Sequence, residues 1–169
     1  ALGKTATMSS TWPGYPASSG VDGNASTYYL TQLQTNAWWQ VDLGATVAPS
    51  KLTLSALGMS NFTVFGSNSD MSARSYTDLL NDPAVWKNTT PGGLNATIDI
   101  DTAGQNFRYV KVQLAGTGYN YLYELQVVVP PATSAVASVD AGSGKISVPK
   151  GQSGTMRLGA VSLAGADYT

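Results

Sequence analysis

Seven residues constrain this chain more than any others: Trp38-Trp39-Gln40-Val41-Asp42-Leu43-Gly44. Two aromatics, a valine and a leucine in an extended-favouring run predict a β-strand, with Gly44 ending it. Successive side chains of a strand point to opposite faces. Trp39, Val41 and Leu43 therefore share one face, and Trp38, Gln40 and Asp42 the other. Each large apolar side chain contributes roughly 1.5–3 kcal/mol when buried, so this strand belongs in a core. Trp39 is expected inside it, with Trp38 largely covered as well.

The same two-residue period recurs along the chain. Thr5–Ser10 alternates, and Lys51–Leu57 turns Leu52, Leu54 and Ala56 inward. Phe62 and Val64 share a face of Asn61–Ser67, and Asn95–Asp101 alternates over its whole length. Val110, Val112 and Leu114 point inward from Phe107–Leu114. In Leu122–Val129, Tyr123, Leu125, Val127 and Val129 share one face and Glu124 the other. Val85-Trp86-Lys87 is a short strand followed by a turn-rich loop, Asn88–Gly93, and Ala73–Asp82 holds a short helical turn stopped by Asp82-Pro83. About eight short strands, spaced by turns and without a long helix, predict an all-β sandwich. The domain reads as residues 1–129. Pro130-Pro131-Ala132-Thr133-Ser134 is a stiff linker. Residues 135–169 carry strand-like pieces, Lys145–Val148 and Thr155–Leu158, but are too few for a core of their own. They read as the opening strands of a second β-domain or as strands appended to the first.

Composition narrows the chemistry. The 169 residues contain no cysteine and no histidine. Disulfides, thiolate metal sites, the cysteine nucleophile and the usual general base are thereby excluded. Asp99 and Asp101 lie on one strand face, where they read as solvated rather than as a catalytic pair. With a net charge of -1, the chain has no basic surface for a nucleic acid. Low charge and abundant Ser, Thr, Asn and Gln give the look of an exported protein. The sequons at Asn24, Asn61, Asn88 and Asn95 agree with a secreted, extracellular location. The opening Ala1-Leu2-Gly3-Lys4 carries no leader and reads as cut from something longer.

Two stretches invite a functional reading. Val21-Asp22-Gly23-Asn24 is a turn signal, and a tight loop of this kind also offers carbonyls and a carboxylate to Ca²⁺, given a second carboxylate from elsewhere. Both uses remain open. The loops Thr11–Gly20 and Ala115–Tyr121 carry Trp12, Tyr15, Tyr119 and Tyr121 among prolines and glycines, either as packing staples or as a binding surface.

The residues also carry a family likeness. The phrase Leu2–Ser10, the loop Val21–Asn24 with Thr27, the strand Trp38–Gly44, Phe65–Asn68, Phe107–Val112 and Glu124–Val127 occur in family order. Together they resemble a discoidin, or F5/8 type C, domain, most nearly a family 32 carbohydrate-binding module of the galactose-binding-like group. The resemblance implies a jelly-roll sandwich with a structural Ca²⁺. Its ligands would be the carboxylates of Asp22 and Glu124, the hydroxyl and carbonyl of Thr27, and the carbonyls of Ser19, Asn24 and Tyr123. It implies glycan binding through aromatic and polar loop residues: Trp12, Tyr15, Tyr28 or Tyr29, Tyr119, Asn120 and Tyr121, with Asn61 and Arg74 as polar partners. Galactose- and fucose-binding members commonly use a histidine, and this chain has none. The expected role is that of a non-catalytic module of a larger secreted or cell-surface protein, a glycoside-active enzyme above all, covalently joined to neighbouring domains. The alternative is an adhesion-type discoidin domain on a protein or phospholipid surface. Against a membrane, the loop around Trp12 carries no positive charge.

Overall fold

The structure, a computed structural model, describes residues 1–59, 61–90, 96–102, 104–131, 138–140 and 145–147. Two units divide the chain, Ala1–Pro130 and Pro131–Thr169. In the first, β1 (Thr5–Met8), a 3₁₀ turn (Ala17–Gly20), β2 (Tyr29–Leu30) and β3 (Gln34–Thr35) precede the long strand β4 (Trp38–Val47). There follow β5 (Lys51–Ser55), β6 (Phe62–Ser67), the helix α1 (Tyr76–Asn81), β7 (Trp86–Thr90) and β8 (Thr97–Asp101). The unit closes with β9 (Phe107–Leu114), β10 (Thr117–Gly118), β11 (Tyr121–Leu122) and β12 (Glu124–Val128).

The eight longer strands form two antiparallel sheets, ordered β1-β4-β9-β6-β7 and β12-β5-β8. Their inner faces share one apolar core. Trp39, Val41, Phe62, Val64, Val110 and Val112 come from the first sheet, and Leu52, Leu54, Ile100 and Leu125 from the second. This is the β-sandwich that the alternating segments predict, in the jelly-roll form that the family resemblance implies. Two short ribbons, β2–β11 and β3–β10, cross the loop end.

β4 does not stop at Gly44. Its register with β9 shifts between Asp42 and Val47, and Gly44 takes φ +85° at this bulge. Glycine adopts that left-handed conformation without a Cβ penalty, so the strand bends there instead of ending.

The outer face of the five-stranded sheet is also covered. All six residues of β6 are buried, because Phe65 packs with Met71, Leu79 and Val85 beneath α1 while Phe62 and Val64 enter the main core. Ser75 starts α1 by accepting the Asp78 N–H at 3.1 Å, which satisfies one of the free donors of the first turn. Under this segment lies Lys111, fully buried. Its Nζ donates to the carbonyls of Met71 at 2.8 Å and Arg74 at 3.2 Å, and stands 4.8 Å from the centre of the Trp38 ring. Burial pulls its pKa down to about 8. β7 runs on to Thr90, through residues that read as loop, because each of its residues pairs with β6.

In the second unit, β13 (Ser138–Asp140) pairs antiparallel with β14 (Lys145–Ser147). The strand-like piece Thr155–Leu158 lies outside the described residues.

Candidate functional site

At the loop end, Trp12, Tyr28, Leu30, Tyr119, Tyr121 and Tyr123 line an open cleft of about 330 Å³. Trp12 and Tyr119 meet edge to face at 6.0 Å. Tyr28 lies 4.7 Å from Tyr15, 5.3 Å from Tyr123 and 6.4 Å from Tyr121, so Tyr15 backs the cleft from behind Tyr28. Trp12 and Tyr119 are 42% and 43% exposed, far more than their size would leave if packing were their purpose. No charged side chain stands among the lining residues.

The rings are held by backbone. Trp12 N–H donates to the Leu30 carbonyl at 2.8 Å, and the pairing of Tyr121 with Leu30 brings the last tyrosine loop beside the first aromatic loop. Beneath them lies a buried polar knot. Tyr29 stacks on Trp39 with ring planes 3° apart, and its hydroxyl donates to Asn120 Oδ1 at 2.6 Å. Asn120 Nδ2 donates to the carbonyls of Ala37 and Val112, and the Asn120 N–H donates to Thr31 Oγ1. Its amide oxygen and nitrogen are thus both satisfied within the protein, as a buried amide requires.

Two expected sugar contacts are therefore corrected. Tyr29 and Asn120 are fully buried and cannot touch a ligand; they position the rings above them. Alternation explains the first case: Tyr28 faces out and Tyr29 in. Tyr123 is corrected too. It sits between β11 and β12 and turns its ring to the cleft instead of continuing the inward face of Leu125. Leu30 was missed, having no polar or aromatic signal to single it out.

The remaining polar candidates fall elsewhere. Asn61 lines a neighbouring cavity of about 420 Å³ with Gly58 and Thr117, which shares Tyr119 and Tyr121 with the cleft. Arg74 is not brought to the cleft. It borders a third hollow and pairs with Asp82 at 2.9 Å.

The Asp-Gly-Asn loop and β12 meet as one cluster. Asp22 Oδ1 accepts the Asn24 N–H at 2.8 Å, and Thr27 Oγ1 lies 2.7 Å from Asp22 Oδ2 and 2.9 Å from the Asn24 carbonyl. Gly23 N–H donates to Glu124 Oε2 at 3.1 Å across 101 residues. Glu124 is buried, against its expected outward place, and burial raises its pKa; the Gly23 N–H opposes that shift and the Asp22 charge adds to it. Ser19 ends three residues before Asp22 and Tyr123 immediately precedes Glu124. Two carboxylates, a hydroxyl and a carbonyl form a set of hard oxygens, which suits Ca²⁺ and no softer metal. Among the described residues no group of three or more His, Cys, Asp or Glu gathers anywhere, so neutral oxygens would have to complete such a site.

Comparison with known proteins places this geometry. A family model described as NedA-like, galactose-binding domain matches residues 19–112, more than half of the chain. The chain belongs to this F5/8 type C family. The matched span includes the Asp22 loop and stops before Tyr119, Tyr121 and Glu124. Among solved structures, the lectin domain of lectinolysin in complex with Lewis B antigen is 30% identical. That match covers 77% of this chain and 95% of the other, with a TM-score of 0.62. Chitosan-binding module 2 of a chitosanase/glucanase from Paenibacillus sp. IK-5, in complex with chitotriose, is 26% identical over 76% of this chain and 98% of its own, at a TM-score of 0.61. A fucose binding module of Streptococcus pneumoniae, SpX-3, shares the fold at 24% identity and a TM-score of 0.65, covering 78% and 97%. No curated protein matches. The chain thus has a carbohydrate-binding-module fold.

Proposed function

We propose that residues 1–130 are a non-catalytic carbohydrate-binding module of a larger secreted or cell-surface protein, one acting on glycosides, and that the aromatic cleft takes a neutral glycan. The carrying observation is the cleft itself: five rings at an open, uncharged surface, two of them more than two-fifths exposed. An aromatic face covers the apolar C–H face of a pyranose, while phenol hydroxyls both donate to and accept from its hydroxyls. With no charged side chain in the lining, neutral sugars fit better than sialylated or polycationic chains. The ligands of the lectinolysin domain and the chitosan-binding module, Lewis B antigen and chitotriose, are both glycans. Shallow sites of this type bind weakly one at a time and gain from linkage to other domains.

The same reading includes a structural Ca²⁺ held by Asp22, Glu124 and Thr27, with the carbonyls of Ser19, Asn24, Thr27 and Tyr123. Its support is that the Thr27 hydroxyl joins the Asp22 carboxylate to the Asn24 carbonyl, and that the Gly23 N–H of the same loop holds the Glu124 carboxylate. The ion would tie the first loop to the last strand and do no chemistry.

A glycan array of the wild type beside Trp12→Ala and Tyr119→Ala tests the cleft. Both variants are expected to lose about fivefold to thirtyfold in affinity, since a stacked ring contributes on the order of 1–2 kcal/mol. Variants that bind like wild type would overturn the site. A blank array with binding to anionic liposomes would favour the adhesion alternative.

A further inference from the structure

The third hollow, of about 420 Å³, borders the β3 strand of the β3–β10 ribbon and shares no lining residue with the Asn61 cavity, which borders β10. Gln34, Thr35 and Asn36 line the hollow, and Thr117 and Gly118 the cavity. Its other walls are Trp38, Gln113 and the segment Ser72–Tyr76 that folds over the outer face of the five-stranded sheet. We infer that this groove is a second glycan site, separate from the aromatic cleft, that takes a neutral pyranose against Trp38, Gln113 and Arg74.

Three observations carry it. First, Gln113 is 2% exposed, and its Oε1 has no hydrogen-bond partner. Its Nε2 donates to the Asn36 carbonyl at 3.0 Å, so reversing the amide would set oxygen against oxygen. The orphan is therefore an acceptor, sealed from water in the wall of a groove. Native proteins rarely leave such a group unpaired, and a hydroxyl from a ligand satisfies it once a wall side chain rotates aside.

Second, the groove contains an indole on a well-anchored strand. The Trp38 backbone N–H donates to Ser9 Oγ at 3.0 Å, which also accepts from Gln34 Nε2, and Lys111 Nζ stands 4.8 Å from the centre of the Trp38 ring while holding the carbonyls of Met71 and Arg74. The Gln113 amide is held by the Asn36 carbonyl and the Arg74 guanidinium by Asp82 and the Asp78 carbonyl, which lowers the cost of ordering them on binding. Trp38 is only half-buried, so a strand residue whose neighbour Trp39 fills the core keeps part of its ring in the open.

Third, the groove is electrically balanced. Arg74 is paired with Asp82 at 2.9 Å, leaving its charge compensated and spare N–H groups for hydroxyls. The other polar lining is amide and hydroxyl: Gln34, Thr35, Asn36, Ser72 and Ser75. That set matches a neutral sugar and gives an anionic or cationic one no advantage. The class of ligand rests on the function proposed above; the existence of a second site does not.

Two-dimensional NMR of the ¹⁵N-labelled chain, titrated to millimolar lactose, maltohexaose, cellohexaose and N-acetylchitohexaose, tests it. The Trp38 indole, Gln113 carboxamide and Arg74 Nε signals are expected to shift saturably with at least one probe. They are expected to do so equally in Trp12→Ala, where the cleft is disabled. In Gln113→Met, close in volume and lacking the orphan acceptor, affinity at Trp38 should fall about threefold to tenfold, the worth of one hydrogen bond. Arg74→Ala, on an exposed wall, serves if that variant does not fold. Groove signals that stay still for every probe while Trp12 responds would overturn the second site and leave the cleft standing. Stillness at both would overturn both readings.

Discussion

The aromatic cleft and the outer-face groove each present an indole to solvent, and they are built in opposite ways. The cleft places rings on loops and two-residue strands over a buried polar knot: Asn120 and the Tyr29 hydroxyl satisfy each other out of reach of any ligand. The groove sets its indole on a long strand, with Tyr76 on the facing helix, and brings its polar groups to the wall, one of them still unpaired. The buried partners differ as well. Under the cleft lies a neutral amide; beneath the groove lies an amine whose charge is unfavourable there. The lesson is that the same residue type supports binding or structure according to which side of a sheet its polar neighbours are satisfied on.

That contrast can be broken most severely at Asn120. Asn120→Ala strands the Tyr29 hydroxyl, worth about 1–3 kcal/mol when left unsatisfied, and takes a donor from the Val112 carbonyl and from the Ala37 carbonyl, which keeps the Leu114 N–H, so a total loss of roughly 2–4 kcal/mol is expected in chemical denaturation. Cleft binding should fail in the same variant. A loss below about 1 kcal/mol would show that the knot is not what holds the rings.

Next in size is the proposed Ca²⁺, which belongs to neither surface. A chelator is expected to lower the thermal midpoint, with restoration by Ca²⁺; at a hundredfold excess over Kd the ion contributes about 2.7 kcal/mol. An Asp22→Asn variant should be insensitive to chelator. An unchanged wild-type midpoint would remove the ion from the account.

Lys111 sharpens the groove's side of the comparison. An unfolded lysine titrates near 10.4, whereas burial holds Lys111 at about 8. Between these values the unfolded chain binds the proton that the folded chain has released. Stability therefore rises with pH across that window, on the order of 1–3 kcal/mol. Tyr29, whose pKa burial raises well above the usual value, reverses the trend only above about pH 10. Denaturant midpoints from pH 7.5 to 9.5 should climb in wild type and stay flat in Lys111→Met. A flat wild-type profile would mean that the amine stays charged between its two carbonyls.

The smallest expected change is at Trp12. Trp12→Ala should alter stability by no more than about 0.5 kcal/mol, because the ring stands on a loop at the surface. A larger loss would class it as packing and weaken the cleft.

The sandwich was legible in the sequence because period-two alternation is a local property: Leu52, Leu54, Val110, Val112 and Leu125 are buried where the pattern puts them. The pattern fails where both sides are covered. Phe65, Gln40 and Lys111 are buried on the face that alternation assigns to solvent, since α1 and its flanks fold over it. The pairing of the Asp22 loop with Glu124 was readable from family resemblance alone, as the two lie 102 residues apart.

By itself, then, the sequence determined the fold class, the strand faces, the absence of histidine and cysteine chemistry, and the presence of aromatic loops. Only the tertiary structure decided which aromatics are accessible. Tyr28 and Tyr29, like Trp38 and Trp39, are adjacent and nearly alike in composition, and strand geometry sends one of each pair inward. Whether the outward one meets solvent depends on what else covers that face, and this is set by contacts between residues far apart in the chain.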